Sequence, residues 1–82
     1  MNFYVYILKS IEKRPVTYVG YTINLVKRIK QHNDGKGAKF TRGRKWKLIY
    51  KEKKASKNEA ISREYYIKKN RTFRNKIKNK YL

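Results

Sequence analysis

Three observations predict a small α+β domain, a three-stranded antiparallel sheet flanked by helices in the order ββαβαα. The run "NFYVYILKS" is aromatic and β-branched, and "VTYVG" answers it across a short loop. "WKLIYKE" alternates bulky and charged residues. The intervening and following stretches space their apolar residues three and four apart, the period of a helix packed on one side.

The first strand carries Phe3, Val5 and Ile7 on one face and Tyr4, Tyr6 and Leu8 on the other. Both faces are apolar, which predicts a central position. "IEKRP" makes the turn, and Gly20 is expected to break the return strand. Thr22 or Asn24 then caps "LVKRIKQHN", a helix expected to bury Leu25, Val26 and Ile29 until "DGKG" stops it. Arg28 and His32, four apart, share a face at the edge of the core. "GKGAKFTRGRK" reads as an irregular basic loop. In the third strand Trp46, Leu48 and Tyr50 alternate with Lys47, Ile49 and Lys51. A helix starts at Ser56, and a last one spaces Phe73, Ile77 and Tyr81 four apart.

Eighty-two residues suit one domain that buries about 60 to 65% of its unfolded surface. The absence of cysteine excludes a disulfide framework and a thiolate zinc site, and a lone histidine argues against zinc altogether. No apolar run is long enough to span a membrane and no signal peptide is evident, so a cytoplasmic location is expected. Twenty-four Lys and Arg against five Asp and Glu give +19, a charge that calls for a polyanion. Nucleic acid fits better than a membrane surface, because no helix pairs a basic face with a strongly apolar one.

With so few acids, each can be assigned. Glu12 lies in the hairpin loop, Asp34 precedes Gly35 in a turn, and Glu52 sits among strand lysines. Ser56 and Glu59 form a capping box. Glu64 differs, because on a helix it points with Ala60, Ile61, Ile67 and Lys68 toward the apolar side. It is either an i,i+4 partner of Lys68, worth about 0.3 to 0.5 kcal/mol, or a ligand for a hard divalent cation. One such carboxylate excludes two-metal nuclease and paired-carboxylate glycosidase chemistry.

Tyr4-Val5-Tyr6, Tyr18-Val19-Gly20, Arg28 eight residues after Gly20, His32 four further on and a late helical Glu64 together resemble the GIY-YIG endonuclease superfamily. "YVGYTINLVKRIKQHNDGKGAKFTRGRK" and "SREYYIKK" are most similar to its small stand-alone bacterial members and to the nuclease subunit that cuts branched DNA. The resemblance runs from about Phe3 to Lys76. It implies a metal-dependent DNA endonuclease acting in repair or recombination on branched or flapped DNA. By position, Glu64 would bind one Mg²⁺ or Mn²⁺, Arg28 would hold the phosphate, Tyr6 and Tyr18 would position or deprotonate the attacking water, and His32 would assist.

The chain departs from the family pattern in having Tyr4 for the first glycine, Tyr21 for a lysine found in some relatives, and Asn75 or Lys76 where an Asn often follows the metal Glu. Many relatives add a separate DNA-binding domain, and none is expected here. Substrate contacts would therefore fall to Lys36, Lys39, Arg42, Arg44, Lys68, Arg71, Arg74 and Lys76, or specificity to a protein partner. The alternative is a non-catalytic nucleic-acid-binding protein that keeps the fold. For the tyrosines taken alone, strand packing suffices as an explanation. For His32 taken alone, a helix C-terminal dipole contact does.

Overall fold

A first strand that is apolar on both faces needs cover on both, and the chain supplies it from either side in sequence. In a computed structural model that describes residues 1–80, β1 (Phe3–Ser10) lies between β2 (Thr17–Thr22) and β3 (Trp46–Lys54), all antiparallel. Helices α1 (Leu25–Asn33), α2 (Lys57–Lys69) and α3 (Arg71–Lys80) complete the order ββαβαα. Tyr81, the last member of the apolar row expected on the final helix, lies outside the described residues.

Alternation along β1 divides the core in two. Val5 and Ile7, with Val19 and Ile49, pack beneath Ala60 and Ile67 of α2 and against Phe73 and Ile77 of α3. Tyr6 and Leu8, with Trp46, pack against Leu25 and Ile29 of α1. Each fully buried aliphatic side chain contributes about 1.5 to 3 kcal/mol, so these few residues carry most of the stability.

Local chemistry sets the helix ends. Asn24 caps α1 by accepting from Lys27 N at 3.1 Å, and Ser56 caps α2 by accepting from Glu59 N at 3.2 Å. The Glu59 carboxylate turns back to the Ser56 hydroxyl at 3.0 Å. Asn70 ends α2 and starts α3, its side chain accepting from Phe73 N at 2.9 Å. Asn33 ties the end of α1 to the start of β3, accepting from Trp46 N at 2.6 Å and donating to Trp46 O at 3.2 Å.

Four sequence expectations are corrected. Val26 is 82% exposed: Leu25 and Ile29 form the partly buried row, and the next residue on is rotated about 100° toward solvent. Gly20 does not break β2 but lies inside it, paired with Tyr6. Tyr50 does not follow Trp46 and Leu48. The register on β1 jumps from Ile7↔Tyr50 to Leu8↔Leu48, leaving Ile49 as the extra residue of a bulge that turns Tyr50 to the α3 side. The basic loop contains a 3₁₀ turn, Lys39–Thr41.

Candidate active site

The bulkiest fully buried side chain is Tyr6, carried by the middle strand toward α1. Its hydroxyl lies 2.8 Å from His32 Nε2, and His32 Nδ1 lies 2.9 Å from Thr41 Oγ1. The Thr41 hydroxyl donates to Ala38 O at 2.8 Å, so it has its lone pairs left for the imidazole. That fixes the direction of the whole chain. His32 Nδ1–H donates to Thr41, and Nε2 accepts the Tyr6 proton. His32 is fully buried, not at the core edge as its spacing from Arg28 suggests, and it is no charged partner of the helix terminus. Burial first, and the Arg28 charge second, lower its pKa to about 4. Burial likewise pushes Tyr6 up to about 12, outweighing the opposing hydrogen bond from Arg28. At neutral pH the pair is a neutral phenol bonded to a neutral imidazole.

Two glycines close over this pair. A Cβ at Gly20 would stand 2.6 Å from the Tyr6 hydroxyl oxygen, and one at Gly37 would stand 2.4 Å from His32 Nδ1. Gly20 therefore serves close approach of a ring rather than a turn. Neither Gly37 nor Thr41 figures among the sequence candidates. Their signal was the glycine-punctuated loop just after His32.

The Tyr6 hydroxyl side opens on a cleft of about 620 Å³. Tyr18 and Gly20 of β2 line it, Arg28 and Gln31 come from α1, and Glu64 from α2. Arg28 Nη1 donates to Gln31 Oε1 at 3.1 Å, which steadies the guanidinium at the cleft wall. The Tyr18 ring centre is 6.4 Å from that of Tyr6 and 5.0 Å from that of His32. All five sequence candidates, Tyr6, Tyr18, Arg28, His32 and Glu64, thus gather at one place, four lining the cleft and His32 directly behind Tyr6. Gln31, three residues after Arg28 on the same helix face, and Lys27 are further lining residues that the sequence reading passed over.

Glu64 is 19% exposed and pairs with Lys68 at 3.2 Å. The i,i+4 ion pair forms, and Glu64 also lines the cleft. Among the described residues no three His, Cys, Asp or Glu side chains cluster. The oxygen donors among the lining side chains are the Glu64 carboxylate, the phenols of Tyr6, Tyr18 and Tyr21, the Thr22 hydroxyl and the amides of Asn24 and Gln31. That donor set fits a hard cation that keeps most of its water, and does not fit zinc.

Glu52, which the sequence places among strand lysines, is a second half-buried carboxylate. Glu52 receives Arg63 Nε at 2.8 Å and Nη2 at 2.8 Å, the Tyr50 hydroxyl, and Lys54 at 3.3 Å. The bulge that turns Tyr50 to this side also brings Glu52 there, and the network lies apart from the cleft lining.

Of the expected substrate-binding cations, Lys36, Lys39, Arg42, Arg71 and Lys76 are exposed, and Lys68 lies beside the cleft as the Glu64 partner. Arg44 is held by Glu12 at 3.4 Å. Arg74 is partly spent on the end of α2, donating to Ile67 O at 3.0 Å and to Lys68 O.

Fold and cleft together define a nuclease-like domain: a three-stranded sheet presenting a tyrosine–histidine pair beside an arginine and a lone carboxylate. Residues 2–80 match the GIY-YIG catalytic domain, and the chain belongs to that family. It is 61% identical over 67 residues to UPF0213 protein CPE1444 of Clostridium perfringens, covering 80% of this chain and 70% of that one. It is 58% identical over 53 residues to UPF0213 protein BLi00048/BL00536 of Bacillus licheniformis, covering 63% and 55%. The solution NMR structure of UPF0213 protein BH0048 from Bacillus halodurans is similar throughout, with 41% identity, a TM-score of 0.57, and coverage of 99% of this chain and 86% of that one. Among the described residues no helix is long and apolar enough to cross a membrane.

Proposed function

We propose that the protein is a divalent-metal-dependent DNA endonuclease. The observation that carries this reading is the Tyr6–His32 hydrogen bond of 2.8 Å, which backs a cleft lined by Tyr6, Arg28 and Glu64. A phosphodiester entering the cleft meets the Arg28 guanidinium, a planar fork suited to two phosphate oxygens. A water beside Tyr6 loses its proton to the phenol oxygen as it attacks phosphorus, and the phenol passes its own proton to His32 Nε2. The phenol never has to exist as a free anion, which matters because its pKa of about 12 would make that form rare. Arg28 lowers the basicity of His32, so phosphate bound to Arg28 offsets that effect and strengthens the base as substrate arrives. Thr41 holds the tautomer that keeps Nε2 free to accept. Tyr18 borders the water position. Glu64 would hold one Mg²⁺ or Mn²⁺, which supplies charge stabilisation for the departing oxygen when bound.

One observation favours the rival reading, a nucleic-acid-binding protein without catalysis: Lys68 already neutralises Glu64. Supercoiled, flapped and branched DNA incubated with Mg²⁺ or Mn²⁺ tests both. Cleavage should vanish in Glu64→Gln while binding holds or tightens slightly. If wild type binds every substrate and cuts none, the rival reading stands.

A further inference from the structure

Beside the cleft, and sharing Tyr18 with it, lies a second groove of about 210 Å³ lined by Thr17, Tyr18, Val19, Phe40, Lys68 and Arg74. Phe40 is 53% exposed. It is not loosely held. Its ring lies nearly parallel to Tyr18, 20° between planes and 6.3 Å between centres, and Trp46 stands 6.2 Å away. The Arg44 guanidinium sits 5.3 Å from the ring centre, and Arg44 is itself held by Glu12. The 3₁₀ turn that carries Phe40 also carries Thr41, the residue that orients His32. A half-exposed aromatic ring is thus held between neighbours one residue from the proton relay, at a groove that also holds two cations.

Resting on the nuclease reading, we infer that this groove receives an unpaired nucleotide next to the scissile phosphate. Its base stacks on Phe40, and its phosphate lies beside Lys68 and Arg74, cations shared with Glu64 and with the end of α2. Every base offers a π-face, so the subsite selects for single-strandedness rather than for sequence. A paired base cannot enter without leaving its helical stack. The net charge of +19 complements a strand, and the groove is too small and too polar at one end for a protein helix. The substrate class is therefore DNA with an unpaired nucleotide at the cut site, as in a single strand or at a flap junction.

The test is equilibrium binding, with calcium in place of magnesium, of a fluorescein-labelled thymidine oligonucleotide and of a duplex of equal length. Phe40→Ala should weaken single-strand binding roughly 5- to 100-fold, Phe40→Trp should retain it, and duplex binding should change less than twofold in both. A scan of abasic substitutions through the strand should find one position that costs wild type a similar factor and costs Phe40→Ala nothing more. Circular dichroism of each variant keeps unfolding distinct from loss of the subsite. Equal losses on single strand and duplex, or an abasic scan with no sensitive position, would overturn the inference. Cleavage with magnesium is followed separately. A protein that binds as stated but never cuts leaves the subsite standing and removes the nuclease reading, whereas cutting without any Phe40 dependence does the reverse.

Discussion

At Arg28 a single side chain separates catalysis from simple attraction. Lysine keeps the charge and the helix propensity but replaces a fork with a point, so Arg28→Lys should leave DNA affinity nearly unchanged. Single-turnover cleavage at saturating enzyme should fall roughly 10² to 10³-fold, about 3 to 4 kcal/mol of lost transition-state stabilisation. Equal losses in affinity and rate would put Arg28 in ground-state binding instead. His32 makes a different kind of prediction. Its folded pKa of about 4 lies below the unfolded value near 6.5, so the unfolded chain binds the proton more readily between those values. The contribution of neutral His32 to stability is complete above about pH 6.5 and is lost as pH falls toward 4. Thermal melts at constant ionic strength should show the midpoint dropping through that window, and a flat profile there would mean that His32 protonates freely in the native state. The helical pattern singled out Glu64, and the family resemblance brought Tyr6, Arg28 and His32 to join it. The burial of His32 was not legible, because it depends on Gly37 and Thr41 folding back across a loop with no periodicity.

The elements owe their arrangement to patterns that were mostly visible in the chain and to one that was not. The apolar faces of β1, the cap at Ser56 and the row formed by Leu25 and Ile29 follow from period and capping chemistry. The bulge at Ile49 left no trace, since the extra residue is as apolar and β-branched as any in the strand. It has an energetic sequel, for the Glu52–Arg63 contact that it permits joins β3 to α2. Burial alone would raise the Glu52 pKa, but hydrogen bonds from Arg63 and Tyr50 prevail and lower it to about 2. The stability it provides is present above about pH 4.5 and disappears as pH falls toward 2, a limb distinct from that of His32. Glu52→Gln should cost about 1 to 3 kcal/mol at neutral pH, because Arg63 is left half-buried without its counter-charge, and should flatten the pH 4.5 to 2 limb. Urea melts of both proteins across that range check it. An unchanged limb would place the acid-labile group elsewhere.

On the scale of the whole molecule, charge is the dominant property. Each phosphate neutralised steepens the log–log dependence of affinity on salt by about 0.9 for duplex DNA, so a surface carrying +19 should give a slope magnitude well above 2. Titrations between about 50 and 300 mM salt measure it, and a slope below about 2 would mean that the cations are spread too thinly to act together. The position of β1 has a further consequence, which concerns refolding. Because Val5 faces one core cluster and Tyr6 the other, a one-residue slip of the central strand would send the phenol into the α2 side and a valine toward His32. Misregistered chains would be compact, with near-native circular dichroism, yet would lack the phenol–imidazole contact altogether. The specific activity recovered after refolding would then count correctly threaded sheets, a population that spectroscopy of secondary structure cannot distinguish.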